Sequence, residues 1–191
     1  MLVLGIDPDL HGALALYDGA KCLGIFDMPI WHLTVGKTKR PRLDTVESGN
    51  IIQFCYDLGV ELAVLEEVNG RPKQAATANF VQGYTLGVIY AQVTGAKIPC
   101  EAVPPTVWKR VMRIKGKRGE SGDKDQIDEI MARADELFPD ERQRFRGPRG
   151  GKMHGRAEAL LLAKFGCEYV AHNIKQMEPT LGTKKALLSK R

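Results

Sequence analysis

Three short apolar segments follow one another within the first 26 residues of the chain, at residues 2–6, 12–17 and 22–26. Each has the length of a β-strand, and the Asp18-Gly19 pair between the second and the third is a strong signal for a hairpin turn. Strands joined by such short connections pair antiparallel. The sequence therefore predicts a three-stranded antiparallel meander at this end of the chain.

Helical and extended patterns alternate after this meander. Together they predict an α/β fold in which a mixed five-stranded sheet carries helices on both faces. On the first helix, the spacing predicts that Val46, Ile51, Phe54 and Leu58 form the buried face. The predicted helices cover residues 45–58, 75–94, 106–113, 123–138 and 155–169, and the two further strands cover 61–68 and 98–103.

The chain has 191 residues, of which 43% are hydrophobic and 27% charged, and these values exclude a mainly disordered or fibrous chain. The length predicts one domain over residues 1–171, followed by a basic tail over 172–191. Lys and Arg number 28 against 23 Asp and Glu, so the net charge of +5 is compatible with a polyanionic partner.

No apolar segment approaches the ~18 residues that a membrane helix needs, and no signal-peptide pattern precedes the first strand. We therefore expect no membrane partner. The four cysteines lie far apart and include no CxxC pair. We therefore expect neither a zinc site nor a disulfide framework. We expect reduced thiols in a cytoplasmic protein.

Acidic side chains interrupt apolar segments at several places. Asp7 ends the first strand, and Pro8 then stops that strand. Glu66 and Glu67 lie inside an apolar strand, and alternation directs their side chains to opposite faces. Periodicity alone leaves open which of the two faces the same centre as Asp7. A turn role for Asp7 and a salt bridge for the strand acid are the structural alternatives.

A third acidic position lies at the start of the last predicted helix. His154 and Glu158 are four residues apart and so share one helix face, although a first-turn acid also suits the helix dipole. With Asp7 and a strand glutamate they would supply three carboxylates and an imidazole. Such ligands suit Mg²⁺ or Mn²⁺. Two such ions roughly 3.5–4 Å apart can drive the hydrolysis of a phosphodiester.

Two segments that we predict to be loops, over residues 31–45 and 139–153, are rich in basic residues. No acid occurs between residues 142 and 156. Flexible basic segments beside an acidic centre are typical of contacts to a phosphate backbone, and a merely solvated face is the alternative. The predicted DNA-binding residues are Lys37, Lys39, Arg40, Arg42, Arg144, Arg146, Arg149, Lys152 and Arg156.

Six segments resemble a known family in their order along the chain. They are GIDPDLHGALAL (5–16), FDMP (26–29), GKTKRPRLD (36–44), VLEE (64–67), VWK (107–109) and HGRAEALL (154–161). The chain resembles the RuvC-type Holliday junction resolvases of the RNase H-like superfamily. It is most similar to the branch that contains the plastid monokaryotic-chloroplast resolvase and its bacterial and phage relatives.

The resemblance implies which strand acid belongs to the site. The family strand carries its catalytic glutamate first and usually a glutamine next, so Glu66 takes the metal role and Glu67 stands at the glutamine position. Asp7 matches the catalytic aspartate of the first strand. Glu158 matches the acid of the last helix, which is usually an aspartate in the family and is therefore one methylene shorter.

The fourth metal ligand of the family is usually an aspartate a few residues upstream of that helix acid. This chain has Met153 there, and His154 is the expected substitute, as in some RuvC-like enzymes. Family members also place lysines near the scissile phosphate, where Lys109 and Lys124 fall in this chain and would stabilise developing charge. Solvated helix lysines are the alternative.

An aromatic wedge follows the strand glutamate in RuvC proper, and this chain has Asn69 at that place. Phe80 and Tyr84 are the nearest aromatic residues. Their helical spacing predicts that they pack in the core instead.

The resemblance implies a metal-dependent, structure-specific endonuclease that resolves four-way (Holliday) DNA junctions by paired symmetric nicks. A metal-activated water would leave 5′-phosphate and 3′-hydroxyl ends, with two Mg²⁺ (or Mn²⁺) ions in each active site. The family acts as a homodimer, with one site for each cut strand. The small residues Gly83, Gly87 and Ala91 on one helix face fit either a dimer contact or packing within the protomer.

Three other functions stay open on the sequence. One is an RNase H-like nuclease acting on RNA–DNA hybrids or on other branched DNA. Another is a non-catalytic DNA-binding relative, which the residue at Met153 would suit. The third is an ATP-binding fragment of the actin and sugar-kinase type, where a strand, an Asp and a hairpin also open the fold. We expect the protein to lie in the cytoplasm of a bacterium or of a phage-infected cell.

Overall fold

The computed structural model describes residues 1–68, 70, 75–114 and 122–170, with the side chains of residues 122–124 excepted. The predicted tail lies outside the described residues. The strands are β1 Val3–Asp7, β2 Ala13–Tyr17, β3 Cys22–Asp27, β4 Ile30–Val35, β5 Thr38–Leu43, β6 Leu62–Glu66 and β7 Cys100–Val103. The helices are α1 Thr45–Asp57, α2 Ala76–Gly95, α3 Pro105–Val111, α4 Gly122–Leu137 and α5 His154–Phe165, with a 3₁₀ helix Pro139–Phe145 and a π-helical segment Gly166–Val170.

Five of the strands form one sheet in the order β3-β2-β1-β6-β7. The first three pair antiparallel, as the meander prediction requires, and β1, β6 and β7 run parallel. In the β1–β6 ladder, Val3 lies beside Leu62 and Ile6 beside Leu65. The predicted α/β fold with a mixed five-stranded sheet is confirmed.

The sheet separates two apolar cores, so that helices cover both of its faces. Val3 and Val64 face the core that holds α3, α4 and α5. Leu4 and Leu65, one position further along each strand, face the core under α1 and α2. This alternation follows from the period of two along a strand. It decides which side chains of β1 and β6 reach each face.

Helix α5 lies against β1 at backbone contact. A Cβ added to Gly5 would collide with the carbonyl oxygen of Ala159 and the amide nitrogen of Ala163. At the other end of the contact, a Cβ on Gly166 would approach Val64 Cγ2 to 2.6 Å. The absence of side chains at these two glycines is therefore what lets the helix lie this close to the sheet.

The prediction of a loop over residues 31–45 is wrong in this part of the chain. Strands β4 and β5 form a separate two-stranded antiparallel sheet in which Ile30 pairs with Leu43 and Val35 with Thr38. The turn between them uses Gly36 with a φ of +62°, which glycine adopts without strain. The density of Lys and Arg favours a loop, but cross-strand backbone pairing outweighs that preference. We call this element the basic hairpin (residues 30–43).

Two further predictions need correction. Helix α1 buries Ser48, Ile52 and Cys55. Three of the four residues predicted on its buried face are exposed: Val46, Phe54 and Leu58. The second predicted loop begins as the 3₁₀ helix Pro139–Phe145. The first error arises because a local pattern does not specify the side from which the rest of the protein approaches the helix.

All four cysteines are free thiols in the structure. Burial raises the pKa of the Cys55 thiol to about 12. None of the helices in the described part of the chain is both long and apolar enough to cross a membrane.

Candidate active site

Asp7 and Glu66 come together because their strands are parallel neighbours. Residues 3–6 of β1 pair in order with residues 62–65 of β6, so Asp7 and Glu66 follow at the same edge of the sheet. Both side chains are directed to the face that α5 covers, since they continue the alternation of Val3 and Val64. Glu67 falls on the opposite face. The geometry thus distinguishes the two strand glutamates that periodicity left equivalent.

Glu158 reaches the same place from α5. It lies one helical turn after His154 and is buried, like the two strand acids, with exposed fractions of 4% for Asp7, 8% for Glu66 and 7% for Glu158. A third glycine permits this approach, because a Cβ on Gly155 would meet Gly12 Cα at 2.6 Å and Asp7 Oδ2 at 3.1 Å. We call Asp7, Glu66 and Glu158 the acid cluster.

A cavity of about 480 Å³ opens beside the acid cluster. Five of the six predicted catalytic residues line it: Asp7, Glu66, Lys109, His154 and Glu158. Asp9 and Gln82 also face it. The sixth, Lys124, belongs to α4, and its side chain lies outside the described residues. The structure therefore brings together residues from β1, β6, α3 and α5 around one opening.

Burial and repulsion between neighbouring carboxylates disfavour the ionised forms of Asp7 and Glu66. The pKa of Asp7 is well above its ordinary value, because the side chain is desolvated and because Glu158 and Glu66 lie close. Burial also raises the pKa of Glu66, although Lys109 and a hydrogen bond from Trp108 act in the opposite direction. Carboxylates crowded in this way attract a cation.

Lys109 supplies one positive charge to the acid cluster. Its Nζ lies 3.0 Å from Glu158 Oε1 and 3.5 Å from Glu66 Oε1, and it also lies over the Trp108 ring, 5.1 Å from the centroid. Burial lowers the pKa of Lys109, but Glu158 and Glu66 outweigh that effect and raise it above its ordinary value. The lysine is therefore a charged bridge between the two glutamates.

His154 lines the cavity as the first residue of α5, directly after Met153. The side chain is half-buried, and burial lowers the pKa of its imidazole, against the opposing effect of Asp9. A neutral imidazole is the form that can ligate a metal. The position thus permits the ligand role that the sequence predicts for His154.

The donor set of this cavity fits a hard divalent cation in its chemistry. Three buried carboxylates face one ammonium, so the negative charge is only partly balanced. Gln82 also lines the cavity, and its buried Oε1 accepts no hydrogen bond within the described part of the chain. Carboxylate and amide oxygens are the ligands that Mg²⁺ and Mn²⁺ prefer.

The same residues do not converge on one metal position. Among the described residues, no three His, Cys, Asp or Glu side chains form a group that could hold a metal ion. The ammonium of Lys109 bridges the two glutamates instead. The cavity therefore has the ligands of a metal centre without the arrangement of one.

The basic hairpin is exposed beside this cavity. No acidic partner pairs with its basic side chains among the described residues: Lys37, Lys39, Arg40 and Arg42. A second cavity of about 720 Å³ lies between the hairpin and α2, lined by Arg40 and Arg42 on one side and Phe80 on the other. Asp9 and Gln82 line both cavities, so the two cavities adjoin at these residues.

The other predicted DNA-binding residues have a different environment. Arg156 donates to both carboxylate oxygens of Asp27, at 2.5 and 2.6 Å. Three more also pair with acids: Arg144 with the nearby Glu141, Arg146 with Asp135 and Lys152 with Asp128. Arg149 is exposed and has no such partner in the described residues. The positive charge of this segment is thus largely neutralised within the protein.

Sequence reasoning missed several residues of the site. Trp108 donates from Nε1 to Glu66 Oε1 over 3.0 Å, and only its position beside Lys109 could have indicated this. The prediction of core packing for Phe80 and Tyr84 is wrong, since their exposed fractions are 74% and 45%. Both side chains are exposed on α2, although the helical periodicity there resembles that of a buried face.

No known family profile matches the chain, and no curated protein does. Solved structures do match. Thermus thermophilus RuvC is 18% identical, with 91% of this chain and 97% of that chain covered and a TM-score of 0.50. T. thermophilus RuvC in complex with Holliday junction substrate is 15% identical, with 91% and 96% covered and a TM-score of 0.54. These likenesses establish that the chain shares the α/β fold of RuvC.

Proposed function

We propose that the chain is a metal-dependent, structure-specific endonuclease that resolves four-way DNA junctions by paired symmetric nicks. The observation that carries this proposal is the acid cluster, with Lys109 and His154, around one open cavity. The fold supports it, since one of the similar RuvC structures contains a Holliday junction substrate. The sequence segments quoted above favour the branch that contains the plastid resolvase.

The acid cluster would hold Mg²⁺ or Mn²⁺ in this function, two ions in each site, with His154 as a further ligand. Divalent ions in such a site lower the pKa of water and stabilise the leaving oxygen of a phosphodiester. The protein's own contribution is to orient the ligands and to balance charge. Glu66 is held by the Trp108 indole. Lys109 and Lys124 would face the scissile phosphate as cations.

The basic hairpin is the surface that would hold the DNA backbone. Its four basic side chains lack acidic partners in the described residues, whereas most of the second basic segment is ion-paired. Contacts of this kind supply affinity without reading sequence. Arg149 would add a further contact.

Paired cuts need two active sites, and α2 offers a surface for a second copy of the chain. An added Cβ at Gly83 or Gly87 would meet nothing within 4 Å, and Ala91 is exposed. Within the described residues nothing packs closely on the small-residue face, which supports its use as a homodimer contact. Sedimentation velocity tests this: we expect a dimer that Gly87→Glu converts to a monomer, and a monomeric parent chain would reject it.

The deciding experiment compares three DNA substrates of equal length: a four-way junction, an RNA–DNA hybrid and a plain duplex. Each is incubated with Mg²⁺, with Mn²⁺ and with EDTA. We expect nicks at symmetric positions in two junction strands, ligatable products, and no cleavage in EDTA. Preferential cleavage of the hybrid would favour an RNase H-like activity. Junction binding without cleavage under any metal would favour a non-catalytic DNA-binding protein.

A further inference from the structure

The position of Lys109 between two metal-ligand candidates explains why the acid cluster can be buried before any metal binds. Its ammonium contacts one oxygen of each glutamate, at 3.0 Å from Glu158 and 3.5 Å from Glu66. Only 14% of the lysine side chain is exposed. Three buried carboxylates with no counter-charge would strongly disfavour the folded state. Lys109 therefore acts as an internal counter-ion of the acid cluster.

The same contacts conflict with a metal bound to both glutamates. A divalent ion held by Glu66 and Glu158 would lie beside the oxygen atoms that Lys109 contacts, and the like charges of the ion and the ammonium repel at that distance. The ammonium and the ion thus compete for one place. The absence of a convergent metal-binding group among the described residues agrees with this, because the lysine bridges the two oxygens.

We infer that Lys109 occupies the cation position of the metal-free protein and is exchanged for the divalent ion. The inference rests on the proposed function, because it takes the acid cluster to be the metal site. Exchange moves the ammonium out of the pair of glutamates, while the flexible lysine stem keeps it at the cavity that Lys109 lines. Metal loading then has two results: it fills the acid cluster, and it releases a cation toward the DNA phosphate.

Calorimetric titration of the full chain with MnCl₂ tests the competition. We expect Lys109→Gln to bind Mn²⁺ at least about tenfold more tightly than the parent chain, because no ammonium has to leave. Lys109→Arg should bind it more weakly, since a guanidinium holds two carboxylates more firmly. The matched control is Arg110→Gln, which removes the same charge from the exposed neighbour on α3 and should leave the affinity unchanged.

A second measurement follows the lysine itself in the unmodified chain. Acetylation by a small activated ester, quantified for each lysine by mass spectrometry, should rise several-fold at Lys109 when Mn²⁺ saturates the site. Lys164 is the internal control. It is similarly buried, with 17% of its side chain exposed and an ion pair to Glu168, and it lies away from the cavity. Its acetylation should not respond to the metal.

Equal or weaker Mn²⁺ binding by Lys109→Gln, or unchanged acetylation of Lys109 under bound Mn²⁺, would overturn the exchange. The exchange would also be overturned if neither the parent chain nor Lys109→Gln bound Mn²⁺. The proposed nuclease function is judged separately, by junction cleavage. Cleavage without any response of Lys109 rejects the exchange alone, whereas a clear response without cleavage supports the exchange and rejects the nuclease.

Discussion

The indole of Trp108 donates a hydrogen bond from Nε1 to Oε1 of Glu66 over 3.0 Å, in a buried environment. Lys109 contacts the same oxygen from the adjacent position of α3. Two consecutive residues of one short helix thus hold a single carboxylate oxygen, one through a neutral donor and one through a charge. The orientation of Glu66 therefore depends on α3 as much as on its own strand.

Removal of the indole donor should destabilise the protein. We expect Trp108→Phe to lower the free energy of unfolding by about 2 kcal/mol, because a buried carboxylate oxygen loses a donor and the smaller ring leaves a void. Chemical denaturation measures this. Trp31→Phe is the control, since Trp31 is exposed on the basic hairpin and should change stability little. Equal effects of the two substitutions would contradict the assigned role of Trp108.

The two adjacent glutamates of β6 form a matched test of the site. Glu66→Gln should reduce junction cleavage by at least about a hundredfold, since loss of even an outer-shell metal contact costs roughly ten- to a hundredfold. Glu67→Gln makes the same chemical change on the opposite face and should retain cleavage. Asp7→Asn should lose cleavage while it keeps junction binding. The measurement is a single-turnover gel assay, and full activity of Asp7→Asn would reject the metal-centre mechanism.

Asp7 should make the metal-free protein less stable as the pH rises. Its pKa in the folded chain is raised well above 3.8 by burial, Glu158 and Glu66. The neutral carboxyl therefore contributes stability that is fully present below the unfolded pKa and is lost as the pH rises through the folded pKa. In EDTA, the stability of Asp7→Asn should equal that of the parent chain at a pH near the unfolded pKa of Asp7. At neutral pH the variant should be the more stable of the two. The advantage should grow by about 1.4 kcal/mol for each pH unit between the two pKa values.

Asp18, a partly exposed residue of the turn between β2 and β3, supplies a control of opposite sign for this pH series. Hydrogen bonds from the backbone amides of Lys21 and Ala20 lower the pKa of Asp18. Its ionised form contributes stability above the unfolded pKa, and this is lost as the pH falls through the folded pKa. Asp18→Asn should therefore destabilise the chain at neutral pH and approach the parent chain in acid. The same sign for both variants would contradict the assigned environments.

The two basic segments should differ in their effect on DNA binding. Junction affinity measured against salt concentration gives a slope that falls by about one for each phosphate contact removed. We expect this change for Lys39→Gln and for Arg40→Gln in the basic hairpin. Arg156→Gln should leave the slope unchanged and instead cost about 1 kcal/mol of stability through its lost pair with Asp27. A reduced slope for Arg156→Gln alone would reverse the assignment.

The close contact between α5 and β1 should tolerate no side chain at its centre. Gly5→Ala places a methyl group against backbone atoms of Ala159 and Ala163, and we expect a loss of about 3 kcal/mol or more. Gly95→Ala is the control, because an added Cβ there meets nothing within 4 Å. Its stability should stay equal or rise by up to about 1 kcal/mol. Thermal unfolding of the two variants measures the difference.

The five strands of the main sheet could be predicted from sequence because each is a short apolar segment with a clear boundary. The basic hairpin could not be predicted in this way. Its second strand, Thr38–Leu43, is dense in Lys, Arg and Pro, and only pairing with Ile30–Val35 makes it a strand. Strand formation of this kind depends on a partner rather than on the segment itself.

The candidate site was predictable to the extent that it depends on strand alternation and strand order. Asp7 and Glu66 share a face because their strands are parallel neighbours in register. The pairing of Arg156 with Asp27 and of Lys152 with Asp128 was not predictable, since these partners are distant in sequence. A segment without acids of its own thus looks free of partners until the fold supplies them.

The backbone contact between α5 and β1 also determines when, during synthesis of the chain, the acid cluster can first form. Asp7 emerges early in synthesis, and Glu158 emerges only with the helix that covers Gly5. A nascent chain that lacks this helix leaves one face of the sheet open and holds two of the three clustered acids. The step that closes the apolar core is the step that completes the acid cluster, so a partly synthesised chain has neither a closed core nor the full set of clustered acids.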